Sequence, residues 1–333
     1  MNGRVVALIA IVSLCVVGGG AYVTVAALTA EGTTSDERPR IVVDEAGAAT
    51  LPAASSLLVR AVDYDNPRLN GRVYRTELAP GDTAESVGGL ACERVYVSPT
   101  GTGLCLAVAR NGFDYQGLVF DRRFQRQASF SIPGVPDRAR VSPDGRYGAF
   151  TAFLSGHTYS LGVRQFSTHT AIVDMRAGKP LFSLDELEIT RDGERFERAD
   201  ANLWGVTFVD GDRFYATLGT GGQHYLIEGR VSTRRARVVR DHVECPSLSP
   251  DGRRIAYKRR VGKLDRWRLH VLDLSTGRDV ALAERRSIDD QPEWLGDAHV
   301  VYSDDRHVYA VPADGGGRPH RLVARASSPV ALP

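Results

Sequence analysis

Lysine is almost missing from this chain of 333 residues. It occurs only as Lys179, Lys258 and Lys263, so the other basic residues among 42 are arginine. That bias points to a GC-rich coding sequence rather than to a phosphate site. With a formal net charge of +2 no basic stripe stands out, which argues against a nucleic-acid binder. Catalytic signatures are missing too. There is no G-x-S-x-G elbow, no H-E-x-x-H, no C-x-x-C and no G-x-x-x-x-G-K-[ST], which removes an α/β-hydrolase partner domain, the commonest zinc sites and a P-loop. The eight histidines never fall as H-x-H, and His299 and His307 flank a predicted turn as surface residues. No cofactor, metal ligand or catalytic residue is assigned.

What the chain does have begins with an uncharged run of 26 residues, Val5 to Ala30. About 20 apolar residues span a bilayer, so the run predicts an N-terminal transmembrane helix or signal anchor over residues 1–30. Arg4 before it and Glu31, Asp36 and Glu37 after it place the body outside the cytoplasm. A cleaved signal peptide, cut near Val25-Ala26-Ala27, is the alternative and would leave a secreted chain. Leu14 before Cys15 is too bulky for a lipoprotein site. Residues 31–56 are small, polar and Pro-containing and read as a linker. Within it residues 40–44, "RIVVD", form a strand-like run, expected to close a ring by pairing beside Arg321-Leu322-Val323.

Beyond Leu57 the helical period gives way to short β-branched and aromatic runs separated by turns. "YVSPTGTGLCLAV" (96–108), "RVSPDGRYGAFTA" (140–152) and "SLSPDGRRIAYKR" (247–259) align without a gap. "TFVDGDRFYATL" and "WLGDAHVVYSD" extend the series, putting equivalent positions at 98, 142, 208, 249 and 295. Those steps match propeller blades of about 40–50 residues, apart from one long step that calls for an insertion within 182–200. Ser-Pro-Asp-Gly is then a turn between the first two strands of a blade, with Pro presetting φ, Asp bonding nearby backbone and Gly taking positive φ. Small residues at one aligned position (Cys105, Ala149, Ala256) suggest close contact with a neighbouring blade. A first unit at 56–89 lacks the turn. The predicted fold is all-β: a six-bladed β-propeller of four-stranded antiparallel blades over 57–333, preceded by the transmembrane helix.

"LSPDGRRIAY…WRLHVLDLSTGR" and "VSPDGRYGAF" resemble the repeats of TolB-like β-propellers over roughly residues 57–325. The family's repeat tryptophan is replaced by Leu248 and Val141 and kept as Trp294. The separate N-terminal domain of the family's namesake, which binds a peptidoglycan-associated lipoprotein, has no counterpart here. The resemblance implies a propeller that binds a partner at the cell envelope.

Three cysteines follow the apolar run: Cys92, Cys105 and Cys245. Cys92 and Cys105 flank "SPTGTG" and invite a disulfide in an oxidising compartment. A simple turn would set Cys105 opposite Tyr96 and leave Cys92 about 13 Å along the strand, so a bridge needs a bulge or another register. The alternative is three buried thiols.

Two loops with ligand-like residues read as turns. "DYDNPRLNG" (63–71) lacks the closing acidic ligand of a Ca²⁺ loop, and "LGTGGQHYL" (218–226) is followed by no helix. The Asp-Gly turns also lack the S-x-D-x-G-x-x-W spacing of sialidases. If the SPDG turns share one rim, the innermost strands begin around the opposite mouth. The alignment puts Glu93, Arg94, Asp137, Arg138, Asp200, Asn202, Asp241, Glu244, Asp289 and Asp290 there, a mostly acidic ring suited to a cationic or polar ligand. Solvated loops are the plainer reading. The functional expectation is a non-enzymatic, monomeric, membrane-tethered extracytoplasmic propeller that binds an envelope protein or polymer and no nucleic acid. The alternatives are a carboxylate-based hydrolase or lyase acting at the mouth, and a structural scaffold.

Overall fold

The computed structural model describes residues 41–49, 51, 55–79, 84–154, 167–262, 266–304 and 306–332. The apolar run 5–30 and the linker up to residue 40 lie outside them. Among the described residues no helix is long and apolar enough to cross a membrane.

Six sheets, each with an antiparallel core of four strands, make six blades. Blade 2 is β5–β8 (Arg94–Val97, Gly103–Val108, Tyr115–Phe120, Arg126–Ile132), and blade 3 is β9–β12 (Val135–Val141, Tyr147–Phe153, Thr168–Asp174, Lys179–Ser183). Blade 4 is β15–β18 (Asn202–Phe208, Arg213–Thr220, Gln223–Arg230, Arg235–Asp241), and blade 5 is β19–β22 (Glu244–Leu248, Arg254–Arg260, Trp267–Asp273, Asp279–Ala281). Blade 6 is β23–β26 (Glu293–Leu295, His299–Ser303, His307–Pro312, His320–Ala324). Blade 1 orders its strands β27-β2-β3-β4, with Ala326–Leu332 innermost, then Ser56–Ala61, Arg72–Glu77 and Glu85–Ala91.

That last order adds a closing strand to the pairing expected for residues 40–44. The strand β1 (Val42–Val43) does pair with β26, Val42 opposite Ala324 and Val43 opposite Val323, but as a fifth, outer strand of blade 6. The ring is closed by β27, which pairs with β2 from Ser56↔Leu332 to Ala61↔Ala326. Blade 1 lacks an SPDG turn because its two innermost strands come from opposite ends of the chain. A C-terminal strand that enters blade 1 at its inner side ties the two ends of the described ring together.

The SPDG turns share one hydrogen-bond circuit. Ser142 Oγ donates to Asp144 Oδ1 (2.6 Å) and accepts from Tyr147 N (2.9 Å), and Gly145 N donates to Ser142 O (2.8 Å). Ser249, Asp251, Gly252 and Arg254 repeat it, with Ser249 Oγ accepting from Arg254 N at 2.9 Å. Neighbouring turns pack against one another along the rim. A Cβ on Gly145 would stand 2.5 Å from Thr100 Oγ1 of the preceding blade, and Asp251 N donates to Asp297 Oδ1 (3.2 Å) of the following one.

The gapless alignment hides one difference. Ser142 N reaches Tyr147 O, whereas Ser98 N reaches Thr102 O, one residue nearer. A one-residue change in register turns every side chain of the second strand to the other face. Cys105 therefore lies opposite Val95, not Tyr96. Ala149 and Ala256 pack towards the following blade, as expected, but Cys105 packs towards blade 1 among Leu58, Val73 and Leu90. There it meets Cys92, which belongs to the crossover from blade 1 rather than to the plane of blade 2. The two form a disulfide with Cα atoms 5.5 Å apart, and Cys245 is a buried free thiol.

The second strands are buried along nearly their whole length, as in Tyr147–Phe153, because a blade lies against each face. Outer strands such as Arg126–Ile132 are largely exposed. Part of the long repeat step is a hairpin, Glu188–Arg191 and Glu194–Arg195, that adds β13 parallel to β18 and widens blade 4 to six strands.

Candidate functional site

Since each SPDG turn ends an innermost strand, the starts of those strands surround the opposite mouth. Six of the ten expected residues come together there, namely Glu93, Arg94, Asp137, Arg138, Asp289 and Asp290. Arg94, opening β5, pairs with Asp290 (3.0 Å) and lies 4.0 Å from Asp137. A register break in β9 between Pro136 and Arg138 leaves Asp137 out of the ladder, and it pairs with the neighbouring Arg138 guanidinium. Arg138 crosses to blade 6, where it donates to Asp289 O (3.3 Å) and approaches its carboxylate at 3.7 Å. Asp290 also accepts from Ser303 N (3.1 Å) and Oγ (2.5 Å). Glu93 pairs with Arg60 at 3.0 Å.

The remaining four do other work. Asp200 accepts from Thr220 Oγ1 (2.5 Å) and Gly221 N (2.7 Å), so it pins the glycine turn of "LGTGGQHYL", and these bonds lower its pKa. Asn202 accepts from Thr168 N (3.0 Å) and Oγ1 (2.8 Å) across the seam between blades 3 and 4. Asp241 is exposed on the outer strand of blade 4, 3.7 Å from Arg191. Glu244 is buried, accepting from Trp267 Nε1 at 3.1 Å and paired with His224 Nδ1 at 2.7 Å. The loop at 63–71 is capped by itself, with Asp63 Oδ1 accepting from Asp65 N and Asn66 N. Among the described residues no group of three or more His, Cys, Asp or Glu could hold a metal ion.

The mostly acidic ring expected from the alignment is in fact charge-balanced, by cations the alignment did not place at the mouth. Lys258, fully buried on β20, pairs with Asp289. Arg140 reaches Pro292 O (2.7 Å) and Glu293 (3.3 Å), and Arg60 serves Glu93. Lys258 carried a signal: it is one of three lysines and aligns with Thr151, a polar residue in an otherwise apolar strand. Burial alone would raise the pKa of Asp290, but Arg94, Arg138 and the Ser303 bonds outweigh it and the value is lowered. Asp289 is lowered likewise, burial being overcome by Lys258 and Arg138. Glu293 goes the other way, because its burial outweighs Arg140.

Blades 3 and 6 stand opposite each other in the ring, so Arg138 and Arg140 bridge the channel. Gln291 adds further ties, donating from Nε2 to Val206 O (3.0 Å) and Pro246 O (2.9 Å). The channel is thus crossed by side chains beneath the mouth. Above them lies a cup of about 370 Å³, lined among others by Arg60, Glu93, Arg94, Asp289, Asp290 and Ser303. Such a cup offers hydrogen-bond donors and acceptors of both signs, held in place by ion pairs that need not reorganise when a polar ligand arrives. Exposed Tyr64, Val108, Phe113 and Val135 stand on this same face of blades 1–3, in or beside loops at the mouth end.

A solved structure shares the fold. TolB from Acinetobacter baumannii aligns with 84% of this chain and 67% of its own, at TM-score 0.57 and 15% identity. A puromycin-hydrolyzing peptidase from Mycobacterium tuberculosis covers 86% of this chain and 45% of its own, at TM-score 0.48 and 15% identity. Hydrazine synthase from Kuenenia stuttgartiensis covers 74% and 72%, at TM-score 0.45 and 14% identity. No protein-family profile and no curated protein sequence matches the chain. In fold, the chain is a TolB-like six-bladed β-propeller.

Proposed function

We propose that the protein is a non-enzymatic binding propeller of the cell envelope, tethered through residues 5–30, that holds a polar segment of a protein or polymer at the mouth opposite its SPDG rim. The observation that carries this reading is the cup itself. It is open to solvent, closed below by cross-channel bridges, and lined by fixed charges of both signs. A closed floor supports docking of an end or a loop rather than threading. Tyr64 and Phe113, the latter 88% exposed, supply apolar contact area around a polar centre, the anatomy of a protein-binding surface.

A second reading, a carboxylate-based hydrolase or lyase, draws on Glu293, a buried carboxyl of raised pKa beside Arg140. Oε1 accepts from Trp294 N, Oε2 lies 3.3 Å from Arg140 without a hydrogen bond, and the residue does not line the cup. The binding reading is therefore preferred.

The test is capture from envelope extract by the full solubilised chain. Tyr64→Ala with Glu93→Gln changes two accessible cup residues and should abolish capture of the component held by the parent, with the melting temperature kept. Arg146→Ala on the turn rim should leave capture intact. Capture unaffected by the cup variant would overturn the reading.

A further inference from the structure

Most arginines around the channel have carboxylate partners; three beside it have none among the described residues. Arg266, Arg268 and Arg285 line a second cleft of about 480 Å³ with Val261, Trp267 and Ser287. No hydrogen bond or ion pair engages these three guanidinium groups among the described residues, and none of the described lining residues is acidic. Arg268 Nε is shielded from solvent and lacks a hydrogen-bond partner. A shielded donor without an acceptor costs free energy unless something supplies one.

The floor is fixed from behind. Trp267 donates from its indole nitrogen to Glu244 Oε1 (3.1 Å) and from its backbone to Ser287 Oγ (3.0 Å). Lys258 Nζ stands 4.8 Å from its ring centroid, on the channel side. The indole, 4% exposed, therefore cannot turn to accommodate a ligand; the part of it that reaches the cleft is a preset apolar patch beneath a cationic fringe. Guanidinium forks match the planar geometry of carboxylate and phosphate, and do so best when not already paired.

We propose that this cleft binds an organic oxyanion, a phosphate or carboxylate group carried on a planar or apolar body, with the body against Trp267 and Val261 and the anionic group held by Arg266, Arg268 and Arg285. Ser287 also lines the cup at the mouth, so the two cavities adjoin. The cleft stands on its own residues, and the proposal holds whether or not the cup takes a partner.

Tryptophan fluorescence of the full solubilised chain tests it, since all three tryptophans are buried and Trp267 alone among them lines this cleft. Phenyl phosphate or benzoate should give saturable quenching at least tenfold tighter than phenol, weakened by added salt. Whichever of the two binds tighter identifies the anionic group. Arg266→Ala with Arg285→Ala alters two exposed side chains, leaves folding unchanged and should weaken that binding at least tenfold. Arg268→Ala should do the same. Trp267→Phe should remove the quenching signal while calorimetry still registers binding. Phenyl phosphate and benzoate binding no better than phenol, or equally to the parent and the double-arginine variant, would overturn the proposal.

Discussion

Gly145 and Gly252 occupy the same place in two SPDG turns and share positive φ, +74° and +70°. Their surroundings differ. A Cβ on Gly252 would meet nothing within 4 Å, whereas one on Gly145 would stand 2.5 Å from Thr100 Oγ1 and 2.8 Å from Thr102 Oγ1. Gly252→Ala should therefore cost only the backbone term, about 1–2 kcal/mol. Gly145→Ala should add an overpacking term of about 1–3 kcal/mol. Urea unfolding of the two variants checks the order, and equal losses would contradict the interlocking of neighbouring turns. The turn itself was legible in the sequence, since Pro, Asp and Gly each contribute through their own backbone chemistry. Which turn is crowded was not, because that depends on a threonine one blade away. Nor was the partnering of Asp289 and Asp290 legible: their cations, Lys258, Arg138 and Arg94, are distant in sequence and arrive through the ring.

Among elements, the repeats made blade number and strand order readable, because one supersecondary unit returns with its turn chemistry intact. Register was less readable. The turn after Ser98 is one residue tighter than that after Ser142, which no gapless alignment shows, and it sends Cys105 to the side where Cys92 lies. The pairing of residues 40–44 beside the last blade was readable, but the part played by the C-terminal strand escaped for a related reason. Residues 40–44 and 326–332 are both short apolar runs near the ends, and composition does not say which enters a sheet between blades. The pairing Ser56↔Leu332 brings the end of β27 beside the start of β2. A permuted chain in which residues 326–332 are joined by a tight turn to residue 55 and end at Arg325 should fold to the same propeller. It should unfold in one cooperative transition, as followed by circular dichroism, whereas a chain truncated after Arg325 should lose that cooperativity. A truncated chain as stable as the parent would show that β27 does not close the ring.

At the scale of the whole molecule, the ring has two unlike faces. The turn rim is held by local hydrogen bonds and contacts between successive turns. The mouth gathers charged residues from blades 1, 2, 3, 5 and 6 into one network, closes the channel beneath, and leaves a cup above. The sequence located that face by exclusion, since the SPDG turns claim the other. It could not show that the ring is balanced in charge, because Arg60, Arg140 and Lys258 sit on strands whose neighbours in the alignment carry no such charge.

The proposed function puts binding at the mouth and not at the turn rim. A photoreactive amino acid placed at position 93 or 304, both lining the cup, or at 146 or 253, both in the turns, tests it in the intact envelope. Positions 93 and 304 should each give a discrete crosslinked adduct, and 146 and 253 none. Adducts from the turn positions alone would contradict it.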